Sequence, residues 1–379
     1  MIYLDYAANT PVDALVLEEF IKSTTTYIAN PNSTHPLGKE ANEKMNEVTK
    51  DIANELGLKI EGPIKDQIIY TSGASEANNL AIKGIARSYR ENGKHVISTC
   101  LEHSSVSGSL TYLQNHSYEI DLVNILPDGT VDLEHLKELM RKDTVLVSVG
   151  YVDSELGVIQ PIKEIAEIVS NYPNCFFHTD ATQAIGKVPV SFEGVDLMTF
   201  TPHKFFGLNG SGALIKREGI VLEPLIHGGA STTIYRSGTP VLPQAMALLK
   251  ALSLANNQYE QRYQHVMEIK QYVIDALKEY KLVQINSPEG SSPYILNMGI
   301  KGVKATLFKE ELEKHGVCIS IKSACSVVNT PSRPVYAITK DKKRAQSSFR
   351  ISFSHVTTIE EIKKFLEIFK ECYEALTQQ

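Results

Sequence analysis

Short apolar runs rich in β-branched residues alternate with longer segments of helical periodicity through the first two-thirds of the chain. This alternation is typical of βα units, which assemble into a largely parallel sheet. We therefore predict an α/β protein whose large domain has a mostly parallel central sheet flanked by helices. The predicted strands are Gln67–Tyr70, His95–Thr99, Thr144–Gly150, Cys175–His178, Leu197–Thr201 and Gly212–Ile215. The predicted helices beside them include Ala41–Leu56, Ser75–Arg90 and Ile162–Ser170.

The pattern changes at about Met246, where a long helix-like stretch begins and runs to Tyr280. It is rich in Ala, Leu, Gln, Glu and Lys, which favour a helix able to bridge two domains. A second αβ portion follows, with predicted elements at Tyr294–Met298, Lys304–His315, Phe349–Phe353 and Ile359–Leu376. We predict a large domain of residues 15–255 and a smaller αβ domain of residues 1–14 and 256–379.

Composition narrows the range of partners. The 379 residues are 42% apolar, which suffices for a sizeable core. Thirty-eight Lys and Arg against 44 Asp and Glu lack the basic excess of a nucleic-acid-binding protein. The five cysteines are scattered without disulfide-framework or zinc-site spacing, and no stretch approaches the ~20 apolar residues of a membrane span. With no signal-like N-terminus, we expect a cytoplasmic protein without a metal or a membrane.

Polar residues follow several predicted strands, where ligands lie in open α/β sheets. The first strand is followed by a small-residue turn, 71–76, whose backbone N–H groups and helix dipole suit a phosphate. Alternatively, Ser72 or Ser75 simply caps the helix. The later strands end in polar groups that together could bind one ring, namely Glu102-His103, Asp153-Ser154-Glu155, Asp180 and Gln183.

A lysine follows the fifth strand, in the sequence Thr201-Pro202-His203-Lys204. Its position beside a histidine and aromatic residues suits Schiff-base chemistry, although an ordinary exposed loop lysine is the alternative. A phosphate-binding turn, a ring-sized His103, an Asp180 able to hold a pyridinium nitrogen and Lys204 together describe a pyridoxal phosphate site.

At this point the sequence resembles the cysteine desulfurases, which are fold-type-I pyridoxal phosphate enzymes of the class V aminotransferase group. The likeness runs essentially from end to end, and the set of motifs in this order is specific. The motifs are Tyr3-Leu4-Asp5-Tyr6-Ala7-Ala8, Asn30-Pro31-Asn32-Ser33-Thr34-His35, Thr71-Ser72-Gly73-Ala74-Ser75-Glu76-Ala77-Asn78-Asn79, Glu102-His103, His178-Thr179-Asp180-Ala181-Thr182-Gln183, His203-Lys204, Arg236-Ser237-Gly238-Thr239, Ser323-Ala324-Cys325-Ser326 and Ser347-Ser348-Phe349-Arg350-Ile351-Ser352.

The resemblance implies a role for each matching residue. Lys204 would form the Schiff base with pyridoxal 5′-phosphate, Asp180 would pair with the ring nitrogen, and His103 would stack on the ring and act in catalysis. The remaining cofactor contacts would come from Ala74, Ser75, Thr201 and His203 near the phosphate, from Ser154 and Gln183 near the ring hydroxyl, and from Thr239 of the neighbouring subunit in a homodimer.

The substrate side is implied by the same resemblance. Arg350 would take the substrate carboxylate through a bidentate fork, Asn32 would also contact the substrate, and Cys325 would carry the sulfur as a persulfide. The sequence departs from the usual family pattern at Ser154, where Asn is common, at Thr201, where Ser is common, and in the segment 227–233. None of these departures removes a reactive group. They bear on the rate and on the substrate preference.

Cys325 has a plainer alternative, since a free cysteine is often a small buried hydrophobe. Its neighbours Ser323, Ser326 and Lys322, and the Pro-, Ser-, Lys- and Asp-rich stretch Val328–Lys343, predict an exposed mobile loop instead. The cysteines predicted to lie in strands or helices, and given no role, are Cys100, Cys175, Cys318 and Cys372.

We expect conversion of L-cysteine to L-alanine with sulfur passed to an acceptor protein, such as an iron–sulfur scaffold or a tRNA-thiolating enzyme. One alternative is an aminotransferase or β-lyase that leaves Cys325 idle. Another is a catalytically silent scaffold for sulfur-acceptor proteins.

Overall fold

The computed structural model describes residues 1–59, 64–229, 231–322 and 330–377. The strands in this part of the chain are β1 Ile2–Tyr3, β2 Ile68–Thr71, β3 His95–Ser98, β4 Glu119–Leu122, β5 Thr144–Ser148, β6 Phe176–Asp180, β7 Leu197–Phe200, β8 Gly212–Lys216, β9 Val283–Ile285, β10 Ile295–Ile300, β11 Val317–Cys318 and β12 Ser348–Ser352. The helices are α1 Ala14–Thr26, α2 Pro36–Glu55, α3 Ala74–Ser88, α4 Ser104–Gln114, α5 Leu133–Leu139, α6 Ile162–Val169, α7 Leu242–Asn257, α8 Tyr259–Leu277, α9 Ala305–Lys314, α10 Arg333–Thr339, α11 Lys342–Ser347 and α12 Ile359–Thr377.

The main sheet has the order β2-β8-β7-β6-β5-β3-β4. All its neighbours pair in parallel except β8, which runs antiparallel to both β2 and β7. The six other strands therefore point the same way, and their carboxyl ends share one edge. The prediction of an α/β protein with a mostly parallel central sheet is confirmed.

Successive residues of these strands enter different hydrophobic clusters on the two faces of the sheet. On one face Ile69, Val96 and Leu146 pack in the cluster that contains the apolar residues of α3 and α4. On the other face, their neighbours Ile68 and Ile97 pack in the cluster that contains α2, α6 and α7. Because both faces are covered, the strands are continuous apolar runs rather than alternating ones, which made them recognisable in the sequence.

The C-terminal part has its own hydrophobic cluster. A three-stranded antiparallel sheet, β9-β10-β12, packs with α8, α9 and α12 around buried aromatic residues such as Phe308, Phe349 and Phe369. Ile2 and Leu4 of the N-terminal segment join this cluster, and β1 pairs with β11. The boundaries at residues 15 and 255 remain predictions.

The predicted long helix from Met246 to Tyr280 is wrong in one respect, because the chain forms two helices there. Gln258, with φ −111° and ψ 10°, separates α7 from α8. Apolar residues of α7 such as Leu248 pack in the large cluster, whereas Val266 and Val273 of α8 pack in the C-terminal one. The break lets one amphipathic stretch serve two cores.

The prediction of a loop over Val328–Lys343 is also wrong for its described residues, 330–343, which contain α10 and the start of α11. The Pro, Ser and Asp residues that suggested a loop are helix-start residues here. Ser332 and Asp341 cap the two helices by accepting backbone N–H bonds, and Pro334 lies in the first turn of α10. Two cysteines also lie outside regular elements, since Cys100 is in the turn after β3 and Cys175 directly precedes β6.

Edge strand β4 was missed because its residues are half-buried or exposed and show no apolar run. Within the described ranges, no helix combines the length and the apolar character that a membrane crossing requires.

A close backbone approach fixes the start of β8 against the turn that precedes α3. A Cβ atom on Gly212 would lie 2.7 Å from Gly73 Cα and 3.0 Å from Thr71 Oγ1. Such contacts leave no room for a side chain, so glycine is required for this packing.

We expect Gly212→Ala to lower the free energy of unfolding by about 1–3 kcal/mol, because the turn before α3 must shift to admit a methyl group. Gly108→Ala is the matched control, since a Cβ there meets nothing within 4 Å on helix α4, and it should be neutral or stabilising. Urea unfolding measures both variants. Equal stability of the two would contradict this account of the turn.

Candidate active site

The carboxyl ends of β2, β3, β5, β6 and β7 open into a cavity of about 430 Å³. The size falls in the range of small-molecule sites. Ten of the residues predicted from the sequence line it together, namely Ala74, Ser75, His103, Ser154, Asp180, Gln183, Thr201, His203, Lys204 and Arg350.

Three predicted residues lie elsewhere or outside the description. Asn32 is exposed, and its Nδ2 donates to Ser231 Oγ at 3.4 Å rather than lining this cavity. Thr239 is exposed and lines a separate cavity of about 120 Å³. Cys325 lies in the segment 323–329, outside the described residues.

Asp180, the last residue of β6, is oriented by two hydrogen bonds. Its Oδ1 accepts from the backbone N–H of Thr182 at 3.0 Å, and its Oδ2 accepts from Asn78 Nδ2 at 2.7 Å. Asn78 is fully buried on α3. The carboxylate therefore has a fixed direction at the cavity wall.

His103 precedes α4 and acts as its N-cap, since its Nδ1 accepts from the Ser105 backbone N–H at 3.2 Å. Burial lowers the pKa of this imidazole, the nearby Lys204 lowers it further, and Asp180 opposes the change. The ring is therefore neutral at neutral pH.

His203 has the opposite tautomer. The Thr201 hydroxyl donates to the carbonyl oxygen of Ser211 at 2.7 Å, so its oxygen accepts the proton of His203 Nδ1, 2.9 Å away. Burial lowers the pKa of His203 to about 4, with Lys204 and Lys187 contributing. His203 Nε2 is thus unprotonated in this structure.

Lys204 ends a short 3₁₀ turn, Pro202–Lys204, directly after β7. Its Nζ donates to the backbone carbonyl of Ala8. Thr10 anchors the same turn, because its N–H and hydroxyl both donate to the His203 carbonyl, at 3.0 and 2.9 Å. The N-terminal segment therefore closes one side of the cavity.

Gln183 is also held by this segment. Its Nε2 donates to the Ala7 carbonyl at 2.8 Å, and its Oε1 accepts from Lys187 Nζ at 2.8 Å. Lys187 is buried, and that burial places its pKa well below the ordinary lysine value, with Lys204 and Arg350 adding repulsion.

Arg350 lies at the centre of β12 with only 1% of its surface exposed. One terminal nitrogen donates to Asp5 Oδ1 at 2.8 Å and the other to the Ser154 carbonyl at 2.7 Å. Its Nε has no partner among the described residues. The guanidinium thus keeps N–H groups to offer to a ligand.

Two buried carboxyl groups stand at the same end of the sheet. Burial raises the pKa of Glu102 to about 7 and that of Asp153 to about 7. Glu102 Oε1 accepts from Thr99 Oγ1 at 2.7 Å and from the Gly150 N–H at 3.0 Å. Both groups are therefore partly protonated near neutrality.

Some residues that contact the site were assigned no role from the sequence, although these residues lie in the family motifs. Asn78 and Asp5 are examples, since each touches a site residue through a hydrogen bond. A buried position for an asparagine within an apolar helix was the available signal for Asn78. Nothing local identified Asp5, because its partner lies 345 positions away.

Comparison with known proteins identifies the family of this chain. The model of the family described as aminotransferase class-V matches residues 2–365. The chain belongs to the class-V aminotransferases and, within them, to the cysteine desulfurases. Cysteine desulfurase IscS of Dictyoglomus turgidum is 34% identical, with 99% of this chain and 95% of the relative covered. The family implies pyridoxal phosphate as cofactor.

Solved structures agree. A NifS-like protein is 31% identical with a TM-score of 0.90, and all of both chains is covered. SspA, solved in complex with cysteine, is 28% identical with a TM-score of 0.82, covering 94% of this chain and 100% of that one.

Glu102 gives a pH-dependent prediction. Its pKa rises from 4.5 to about 7 on folding, so between these values the folded chain keeps a proton that the unfolded chain releases. The contribution of Glu102 to stability therefore falls as the pH rises through this window. Glu102→Gln has no proton to lose at this position. Between pH ~5 and pH ~8 its free energy of unfolding, taken relative to that of the parent, should therefore rise by at most about 3 kcal/mol.

Urea unfolding at the two pH values measures this gain. The control is Glu138→Gln at an exposed position of α5, whose free energy of unfolding should equal that of the parent at both pH values. A Glu102→Gln variant that also tracks the parent would show that the buried carboxyl does not titrate in this range.

Proposed function

We propose that this cavity binds pyridoxal 5′-phosphate and that the chain converts L-cysteine to L-alanine, passing the sulfur through Cys325 to an acceptor protein. The observation that carries the proposal is the convergence of Lys204, Asp180, His103 and Arg350 on one cavity at the carboxyl edge of the sheet.

The residues present fit the cofactor. No described side chain caps α3, so the first-turn N–H groups at Ala74 and Ser75 are suited to a phosphate at the positive end of the helix dipole. The Thr182 Oγ1 atom is buried at the cavity wall with no partner among the described residues. A polar ligand would satisfy such an atom.

When bound, pyridoxal phosphate supplies an electron sink for the pair released as a bond at the substrate Cα breaks. Asp180 holds a proton on the ring nitrogen, because its two fixed hydrogen bonds aim a carboxylate into the cavity. Lys204 Nζ provides the amine that attaches the cofactor and moves a proton at the substrate Cα.

Arg350 binds the substrate carboxylate. Its buried guanidinium is already held by Asp5 and by the Ser154 carbonyl, and its Nε remains unpartnered among the described residues. A planar fork with fixed direction orients the substrate over the ring better than a point charge does. The SspA structure in complex with cysteine supports the choice of substrate by similarity.

Cys325 is the proposed nucleophile. Its thiolate attacks the substrate sulfur, an S–S bond forms as the C–S bond breaks, and the electron pair goes to the substrate carbon, which is protonated to give alanine. The described residues on either side of positions 323–329 contact each other, since Lys322 Nζ donates to the Thr330 carbonyl at 2.6 Å. Ser332 donates to Glu155 Oε2 at 2.6 Å, beside cavity residue Ser154.

The assembly and the destination of the sulfur belong to the same proposal. Thr239 is exposed on this chain, which suits a contact with the cofactor phosphate of a second subunit in a homodimer. An iron–sulfur scaffold or a tRNA-thiolating enzyme in the cytoplasm would accept the sulfur.

Cys325→Ala tests the proposal. The variant should still bind the cofactor and bring cysteine to it, yet form no alanine above background and carry no extra sulfur. Mass spectrometry of the 325 peptide and alanine analysis after incubation with cysteine measure both. Cys318→Ala is the control, because Cys318 is a half-buried strand residue, and it should keep the parent rate.

Alanine formation by Cys325→Ala at the parent rate would overturn the desulfurase proposal. Keto-acid-dependent turnover would then identify an aminotransferase, and pyruvate without alanine would identify a β-lyase. A colourless protein without any turnover would favour a silent scaffold.

A further inference from the structure

A chain of hydrogen bonds links Asp180 to His103 through two side chains that the proposed function does not use. Asn78 Nδ2 is 2.7 Å from Asp180 Oδ2 and 2.9 Å from Ser105 Oγ. Ser105 Oγ is in turn 2.8 Å from His103 Nδ1. The path joins helix α3, the first turn of α4 and the end of strand β6.

Chemistry fixes the direction of each bond. The carboxylate of Asp180 accepts, so the nitrogen of the Asn78 amide must face it, and that nitrogen donates its second proton to Ser105 Oγ. Because the Ser105 backbone N–H points at His103 Nδ1, this nitrogen carries no proton, and the Ser105 hydroxyl therefore donates to it. The backbone N–H of Ser105 donates to the same nitrogen at 3.2 Å.

His103 Nδ1 therefore accepts from two donors and carries no proton. A neutral imidazole with an accepting Nδ1 has its proton on Nε2. Adding a proton at Nδ1 would set two N–H groups against each other, which disfavours the imidazolium. Asp180 and Lys204 are the charged groups that act on this ring.

Asn78 is unusual among buried residues of this helix because its Oδ1 has no partner among the described residues. A buried, unpaired amide oxygen is costly, and an apolar residue of similar size would avoid the cost. What an asparagine provides here, and an apolar residue would not, is the two hydrogen bonds donated to Asp180 and Ser105.

We propose that Asn78 and Ser105 are positioning residues that hold His103 in the tautomer protonated on Nε2 and tie its orientation to Asp180. This inference rests on the proposed function, in which His103 and Asp180 face the cofactor ring. It deepens that function, because a histidine so held presents an N–H donor to the cavity and leaves proton removal to Lys204.

The tautomer is measured directly by ¹⁵N NMR of histidine-labelled, cofactor-loaded protein without substrate, with His103→Gln used to assign the signal. The parent should show a protonated Nε2 and an unprotonated Nδ1. Ser105→Ala should populate both tautomers and lower kcat for alanine formation about tenfold with little change in KM. Asn78→Ala should act in the same direction.

Two further variants make the comparison specific. Ser105→Thr keeps the hydroxyl and should keep the parent tautomer and rate, and Ser107→Ala removes a half-buried hydroxyl from the same helix and should behave as the parent. The Ser105 series decides the question even where Asn78→Ala fails to fold.

A parent protonated on Nδ1, or a Ser105→Ala variant with the parent tautomer and kcat, would overturn the inference. Failure of the proposed function is a separate outcome. A parent that forms no alanine would refute the desulfurase activity, whereas the NMR comparison would still test the tautomer.

Discussion

The site depends on the hydrogen bonds that the N-terminal segment from Asp5 to Thr10 makes with its residues. Backbone carbonyls of Ala7 and Ala8 accept from Gln183 and Lys204, and Asp5 pairs with Arg350. The Ala7 N–H donates to Ser352 Oγ at 2.9 Å, on the strand that carries Arg350. One short stretch thus connects the edge of the main sheet to the C-terminal sheet across the cavity.

This arrangement also balances charge in a buried space. Arg350 is almost fully buried, and burial of an unpaired charge is costly, so its ion pair with the Asp5 carboxylate stabilises it. His103, His203 and Lys187 all have lowered pKa values because of burial. The two histidines that line the cavity therefore carry little positive charge at neutral pH, and an arriving carboxylate meets the Arg350 guanidinium.

The sequence predicted the sheet and the cavity residues well, and for one reason. Strands buried on both faces are continuous apolar runs, and residues directly after them meet at one edge, so His103, Asp180 and Lys204 converge as expected. The break at Gln258 was not predictable, because both halves of that stretch have helical periodicity and only the position of two cores separates them. Asn78 and Asp5 escaped notice as contacts because their hydrogen-bond partners are far away along the chain, where spacing carries no information.

The proposed function requires Lys204 to be the amine that holds the cofactor. Reduction of the purified protein with borohydride, digestion and peptide mass spectrometry tests it most directly. We expect the cofactor mass on the Lys204 peptide of the parent protein and its loss in Lys204→Ala. Lys187, a buried amine of lowered pKa hydrogen-bonded to Gln183, is the sharpest competitor. Cofactor mass on the Lys187 peptide of the parent protein would contradict the account.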